Sequence, residues 1–190
     1  IRGGKKRENM YVYSAVPKGW SLLTDNGQRV VEKSERINKN GERVVRRVLL
    51  GAEGVQLEVT DTVHHQFDFG EKRIRKIVDP EGLHLTTTFQ YETSKGPGYG
   101  KLKACLKPDG SWVRYQYDAQ GRVIREIRPY LEAAFDAPEA QSTVVVRKFE
   151  AVSREDSEDP RDRNNPRQTV ETTAGIETSR AYHVYIQDED

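Results

Sequence analysis

Short runs in which β-branched or aromatic residues alternate with charged ones recur along the first two thirds of the chain. Alternation with a period of two residues is typical of a strand with one buried and one solvated face. Glycines separate the runs at intervals of 10 to 18 residues, the length of one strand and its turn. The pattern predicts an all-β protein, an antiparallel meander of successive β-hairpins that forms a curved or twisted sheet. The predicted strands are 28–37, 43–50, 55–63, 72–78, 83–91, 102–106, 112–117 and 122–127.

The clearest strand lies between two tight turns. Pro108 fixes the backbone angle φ for the first central position of one turn, Asp109 can bond the backbone ahead of it, and Gly110 accepts the positive φ that closes it. Asp118 and Gly121 occupy the first and last positions of the second turn. Similar sequences at 25–27 and 38–41 predict hairpins in which a type I turn ends in a left-handed glycine.

The character of the chain changes after residue 129. Residues 130–137 are compatible with a short helix that ends near Pro138, and 143–149 has strand character. Residues 153–168 are dense in charge and nearly free of apolar side chains, which predicts a mobile loop. Strand character returns at 169–173 and 178–186. We therefore expect a meander over 1–129, an insert over 130–168, and terminal hairpin strands with an acidic tail over 169–190.

The stretch around residues 110–123 resembles the RHS/YD repeat, in which a glycine, the pattern Arg-Tyr-x-Tyr-Asp and a second glycine precede an aliphatic strand. The matching residues are Gly110, Arg114, Tyr115, Tyr117, Asp118, Gly121 and Val123.

Two weaker copies accompany it. The upstream copy comprises Asp79, Pro80, Gly82 and Tyr91. It departs from the pattern after Tyr91, where Glu92 stands in place of aspartate. A third, partial copy consists of Gly175, Arg180, Tyr182 and Tyr185, and it also lacks the following aspartate.

The resemblance implies a segment of a β-hairpin shell, of the kind found in large bacterial proteins that are secreted or displayed on the cell surface. Such shells enclose or display a toxin or other cargo domain. The expected function is that of a non-enzymatic structural segment, without a cofactor. Its partners would be flanking repeats or the cargo domain of a larger protein.

Composition narrows the classes of partner. Hydrophobic residues make up 35% of the chain and charged residues 32%, which suits a sheet with one wet face. The formal net charge is +1. An interspersed and nearly balanced surface predicts no nucleic-acid partner. No apolar run approaches the length of a membrane span, and the single cysteine, Cys105, cannot form an internal disulfide.

The sequence contains no recognised catalytic or metal-binding motif. The neighbouring His64 and His65 point to opposite faces of a strand, so a metal site would need His84 or His183 as well. The lysines beside Cys105 could lower the pKa of its thiol, but no base is evident. We therefore expect no enzyme, although one whose residues follow no known motif stays a third hypothesis.

A binding module is the alternative to a structural segment. Trp20 and Trp112 each follow a turn, and exposed aromatic rings on a sheet could stack on a sugar. The alternative function is therefore carbohydrate or cell-surface binding through these two rings. Aromatic side chains that hold neighbouring strands together are the commoner arrangement.

Overall fold

The computed structural model describes residues 10–15, 18–23, 29–51, 55–149 and 165–184, with side chains described from residue 36 onward. The turn predicted at 25–27, most of the charged loop predicted at 153–168, and the acidic tail lie outside the described residues. By its internal contacts the chain divides into two compact units, residues 1–88 and 89–190.

The described strands form one antiparallel sheet in which each strand is hydrogen-bonded to its neighbours in sequence. The all-β meander predicted from the sequence is confirmed. The strands are β1 (Met10–Ala15), β2 (Lys18–Leu23), β3 (Arg29–Ile37), β4 (Arg43–Leu50), β5 (Gln56–Phe67), β6 (Gly70–Val78), β7 (Leu85–Tyr91), β8 (Leu102–Leu106), β9 (Trp112–Tyr117), β10 (Val123–Pro129), β11 (Ser142–Lys148), β12 (Gln168–Thr173) and β13 (Ile176–Tyr182).

In the first unit, an ion pair lies between two pairs of buried valines. In β4 and β5, Val44 faces Val63 and Val48 faces Val59, and all four are at most 7% exposed. Arg46 and Asp61 face each other between these pairs, with Nε–Oδ1 and Nη2–Oδ2 distances of 2.8 and 2.9 Å. Since the carboxylate of Asp61 is buried, this bidentate contact compensates the loss of water around it.

In the second unit, the core lies on one face of β9, β10 and β11. Trp112, Ile127 and Val144 are buried together, with Leu106, Phe135 and Val146 packed against them. Residues 130–141, which we call the cover segment, lie over this face: the rings of Phe135 and Trp112 meet edge to face at 5.8 Å. The core is therefore closed by a connection between two strands.

The cover segment is not the short helix that residues 130–137 suggested. It contains two separate turns, closed by hydrogen bonds from Ala133 N to Tyr130 O and from Ala137 N to Ala134 O, before a single 3₁₀ turn at Glu139–Gln141. Leu131 has a φ of 53°, which a right-handed helix cannot contain. The strand predicted directly after this segment is confirmed as β11. The division into parts at 129 and 168 stays a prediction.

Three hairpins have turns of the same type. In each, the N–H of a glycine donates to the carbonyl of the residue three positions earlier. The N–H of that earlier residue donates to the carbonyl of the residue that follows the glycine. The glycines have φ values between 75° and 81°, as predicted for a type I turn that ends in a left-handed residue. The turns are 38–41, 107–110 and 118–121.

Gly110 isolates the contribution of the backbone angle, because a Cβ added there would meet nothing within 4 Å. We expect Gly110→Ala to lower the free energy of unfolding by about 1–2 kcal/mol through its positive φ alone. Gly110→Asn should cost clearly less, since asparagine tolerates this region. Urea unfolding checks both values, and equal costs for the two variants would contradict the explanation.

Candidate functional site

The second turn of the RHS/YD-like segment is held by the aspartate of the motif. Asp118 Oδ1 accepts hydrogen bonds from the backbone N–H groups of Gln120 (3.0 Å) and Arg122 (2.8 Å). Its Oδ2 accepts one from Arg122 Nε at 2.6 Å. Burial works to raise the pKa of Asp118, but these bonds and the Arg122 charge outweigh it and hold the pKa below its ordinary value. Both carboxylate oxygens thus accept hydrogen bonds from within the turn.

The second tyrosine of the motif contacts the preceding hairpin. The Tyr117 hydroxyl donates a hydrogen bond of 2.6 Å to the carbonyl of Leu102 on β8. Its ring lies against Gly98, where an added Cβ would come within 2.5 Å of Cδ2. Lys101 lies 5.6 Å from the ring centroid and donates to the carbonyl of Gly121 at 2.7 Å. These contacts join the 93–101 connection to the turn after β9.

The arginine of the motif attaches the cover segment. Arg114 Nη2 donates to the carbonyl of Ala137 at 2.7 Å, and its guanidinium lies 4.7 Å from the Trp112 ring. Trp112 Nε1 donates to the carbonyl of Ala133 at 2.9 Å. Two side chains of β9 therefore hold the two turns of residues 130–137 in place.

The position of Trp112 contradicts its proposed role in ligand stacking. The residue is 4% exposed, and its ring is enclosed by Phe135 and Arg114. Because Trp112 is a core residue, it offers no ring face to a sugar. The Trp20 side chain lies outside the described residues, so its role in binding stays a prediction.

The opposite face of the sheet carries a buried carboxylate on β10. Glu126, opposite Tyr115, is 9% exposed and accepts hydrogen bonds from Arg128 and from Arg147 Nη2, the latter at 2.9 Å. Burial works to raise the pKa of Glu126, but the hydrogen bonds and charges of the two arginines outweigh it and keep the pKa below the ordinary glutamate value. Burial, assisted by Glu126, raises the pKa of Tyr115. Glu126 is therefore held as a charged structural group.

A cleft of about 560 Å³ opens beside the motif, within the second unit. Ala104 and Ile127 contribute apolar surface to it, and Phe135 with Asp136 forms part of its wall. Sequence reasoning missed this wall, because it treated 130–137 as a helix. The other polar residues that line the cleft are Gln90, Glu92, Lys103, Arg114, Tyr115, Gln116, Tyr117 and Glu139.

The charged groups of the cleft are mostly paired. Glu92 contacts Lys103 at 3.2 Å, and Glu139 accepts two hydrogen bonds of 2.7 Å from Arg125. Arg114 is bonded to Ala137, as described above. The arrangement resembles a polar binding groove more than a set of acid and base groups converging on one reacting atom.

The weaker copies reproduce parts of the motif geometry. Asp79 has a φ of 53°, and its Oδ2 accepts the N–H of Leu83 at 2.8 Å. Gly82 is required for space, because an added Cβ would lie 2.4 Å from the Asp79 carboxylate. In the third copy, Gly175 has a φ of 79°, but Tyr182 is 70% exposed and so does not pack as Tyr117 does.

The remaining candidate groups are dispersed. Within the described ranges, no group of three or more His, Cys, Asp or Glu side chains is placed to hold a metal ion. Cys105 is half-buried on β8. In the described part of the chain, no helix has the length and apolar character needed to cross a membrane.

No protein-family model matches the chain, and no curated protein sequence matches it. The resemblance to RHS/YD repeats therefore depends on the motif residues alone.

The Tyr117 contact yields a stability prediction. Tyr117→Phe removes one hydrogen bond and leaves the ring, so we expect a loss of about 1 kcal/mol in the free energy of unfolding. Tyr130→Phe is the matched control, because Tyr130 is 41% exposed and should change stability by less than about 0.5 kcal/mol. Urea unfolding compares the two variants, and equal effects would argue against a structural role for the Tyr117 hydroxyl.

Glu126 yields a prediction about pH. A carboxyl whose folded pKa is depressed stabilises the fold above the unfolded pKa of about 4.3, and this stabilisation is lost as the pH falls through the folded value. We expect Glu126→Gln to lower the free energy of unfolding by about 1–3 kcal/mol at pH 7, and by progressively less below about pH 4. Unfolding curves between pH 2 and 7 measure the difference.

Glu81→Gln is the control for that experiment. Glu81 also pairs with an arginine, Arg46, but its side chain is 72% exposed. Its loss should cost less than about 1 kcal/mol. A pH-independent effect of Glu126→Gln would show that its charge is not what stabilises the fold.

Proposed function

We propose that this chain is a non-enzymatic structural segment of an RHS/YD-repeat protein. In this proposal it forms part of a β-shell or surface scaffold that encloses or displays a cargo domain of a larger secreted bacterial protein. The observation that carries the proposal is the use of the motif residues: Asp118 closes a turn, Tyr117 contacts the preceding hairpin, and Arg114 holds the cover segment. Each of these three side chains forms its hydrogen bond with the backbone of this chain.

The charged side chains support the same conclusion. Many of the arginines and carboxylates pair with each other between strands or between a strand and a connection, so they stabilise the sheet. The pairs in the described part of the chain include Arg43–Glu71, Arg46–Asp61, Arg75–Glu42, Arg125–Glu139 and Arg147–Glu126. A surface of this kind suits a wall whose partners are flanking repeats and an enclosed domain.

Limited proteolysis of a larger protein that carries the segment would test the proposal. We expect Tyr117→Phe combined with Asp118→Ala to increase the rate at which the cargo domain is released. The specific activity of the released domain should not change, because the segment contributes no chemistry. Val144→Ala is a second destabilising variant. It weakens the same unit from its core, so it should also increase the rate of release. Unchanged release by all destabilising variants would contradict a containing role.

Carbohydrate binding stays the second candidate, and the residues that line the cleft support it. Asp136, Gln90 and Gln116 each present two polar atoms in one plane, which matches pairs of neighbouring hydroxyl groups on a sugar, and Phe135 and Ile127 add apolar surface. Glycan-array binding that Asp136→Asn abolishes would favour this candidate over the scaffold. Binding that only Trp20→Ala abolishes would place the site elsewhere.

A further inference from the structure

The cover segment is a loop whose two ends lie side by side. It leaves β10 after Pro129 and enters β11 at Ser142, and these two residues face each other in the ladder between the strands. A surface loop of this length with adjacent ends is an Ω-loop, a class that is frequently functional. Because the ends are already joined through the sheet, the loop can move away from the sheet face while the β10–β11 ladder stays intact.

Few residues of the cover segment are buried. Eight of its twelve residues are exposed, and Ala137 alone is fully buried. The segment lies between two strands of the sheet, and its own backbone hydrogen bonds close short turns. A region with few buried apolar contacts and no strand pairing of its own opens at a lower free energy than the sheet around it.

The polar contacts that hold the segment can be replaced by water. Two of its backbone carbonyls accept hydrogen bonds from Trp112 Nε1 and Arg114 Nη2 on β9. An ion pair joins Glu139 to Arg125, and the two side chains are each 38% exposed. When the segment lifts, these groups become accessible to water, so opening leaves none of them buried without a partner.

One aromatic ring supplies most of the apolar contact. Phe135 meets Trp112 edge to face at 5.8 Å and packs against the cluster that Trp112 forms with Ile127 and Val144. At Leu131 the closed backbone is strained, because φ is 53° and the side chain is 81% exposed and gains little from packing. The closed form is therefore stabilised by one ring and opposed by one strained residue.

We propose that the cover segment is a lid that opens as a unit about Pro129 and Ser142, while β9, β10 and β11 stay paired. Opening uncovers the ring of Trp112 and withdraws the wall that residues 135–139 give to the cleft. A ligand that contacts both this wall and the strands binds the closed form more tightly, and so shifts the equilibrium toward it. The inference does not rest on the proposed scaffold function.

Hydrogen exchange in the full chain, followed by NMR, tests the proposal. The indole N–H of Trp112 is bonded to the cover segment, so it exchanges when the segment opens. The backbone N–H groups of Val144 and Val146 lie in β11, which is paired on both sides, so they exchange when the sheet itself opens. We expect the protection factor of the indole N–H to be at least about tenfold lower than those of the two backbone groups. Equal protection factors would overturn the proposal.

Val145→Ala separates the two kinds of opening. Val145 is 7% exposed and lies opposite Glu126, on the sheet face away from the cover segment. Its truncation destabilises the closed and the open form alike relative to the unfolded chain. We expect the protection factors of the β11 backbone groups to fall at least about tenfold, and that of the Trp112 indole to stay unchanged. A parallel fall of both would show that Trp112 is exposed by unfolding of the sheet, and would contradict a separate lid.

Phe135→Ala tests whether the ring lifts with the segment. Its loss weakens the closed form alone, so the protection factor of the Trp112 indole should fall at least about tenfold. Leu131→Ala is the matched control in the same segment, and because Leu131 is 81% exposed it should change that factor by less than about twofold. No response to Phe135→Ala would place the exchange in a local movement at Ala133 and would overturn the proposal. Circular dichroism confirms that each variant keeps its strand content.

Discussion

Pairing between neighbours in sequence is the constraint on which this structure depends. From β2 to β12, each strand bonds the strand before and the strand after it, so almost every long-range contact follows from a local reversal of the chain. The reversals must therefore be geometrically exact, because an error of one residue would exchange the two faces of every strand that follows. Glycines at positive φ and aspartate or asparagine side chains bonded to the turn backbone supply that exactness at 38–41 and 118–121.

Among the residues whose side chains the structure describes, the apolar core is small. In the first unit it includes four valines on two strands, and in the second a tryptophan cluster beneath the cover segment. Polar contacts compensate for this in a consistent way. The Arg46–Asp61 pair lies among the valines of its sheet face, and Glu126 lies beside Val145 with two arginines around it. A buried carboxylate without its arginine would be strongly destabilising, which links the register of the strands to their charge pattern.

The sheet could be predicted from the sequence because its signals are local. Alternation and turn residues located β3, β4, β8, β9, β11 and β12 to within a residue, and they located β6 and β10 to within two residues. β5 proved longer than expected, since His64 and His65 continue its ladder up to the turn at Asp68. β1 and β2 were not predicted as strands, because their few alternating residues carry a weak signal.

The surroundings of the candidate site could not be predicted in the same way. Residues 130–137 have good helix-forming composition, but tertiary contacts override it: the indole N–H of Trp112 bonds Ala133 and the guanidinium of Arg114 bonds Ala137. The same contacts bury Trp112 and create the cleft wall. These features depend on contacts between β9 and this segment, which lie apart in sequence. No residue spacing along the chain predicts such contacts.

The distribution of perturbed carboxyl groups bears on function. Reactive sites hold acids whose pKa is raised toward neutrality, or whose charge is left for a substrate. Here the buried or turn-forming carboxyls with shifted pKa values include Asp109, Asp118 and Glu126, and all three are shifted downward by bonds to their own chain. Such groups stay ionised and hydrogen-bonded across the physiological pH range. A protein that uses its buried charges in this way gains rigidity, which the proposed role as a section of a wall requires.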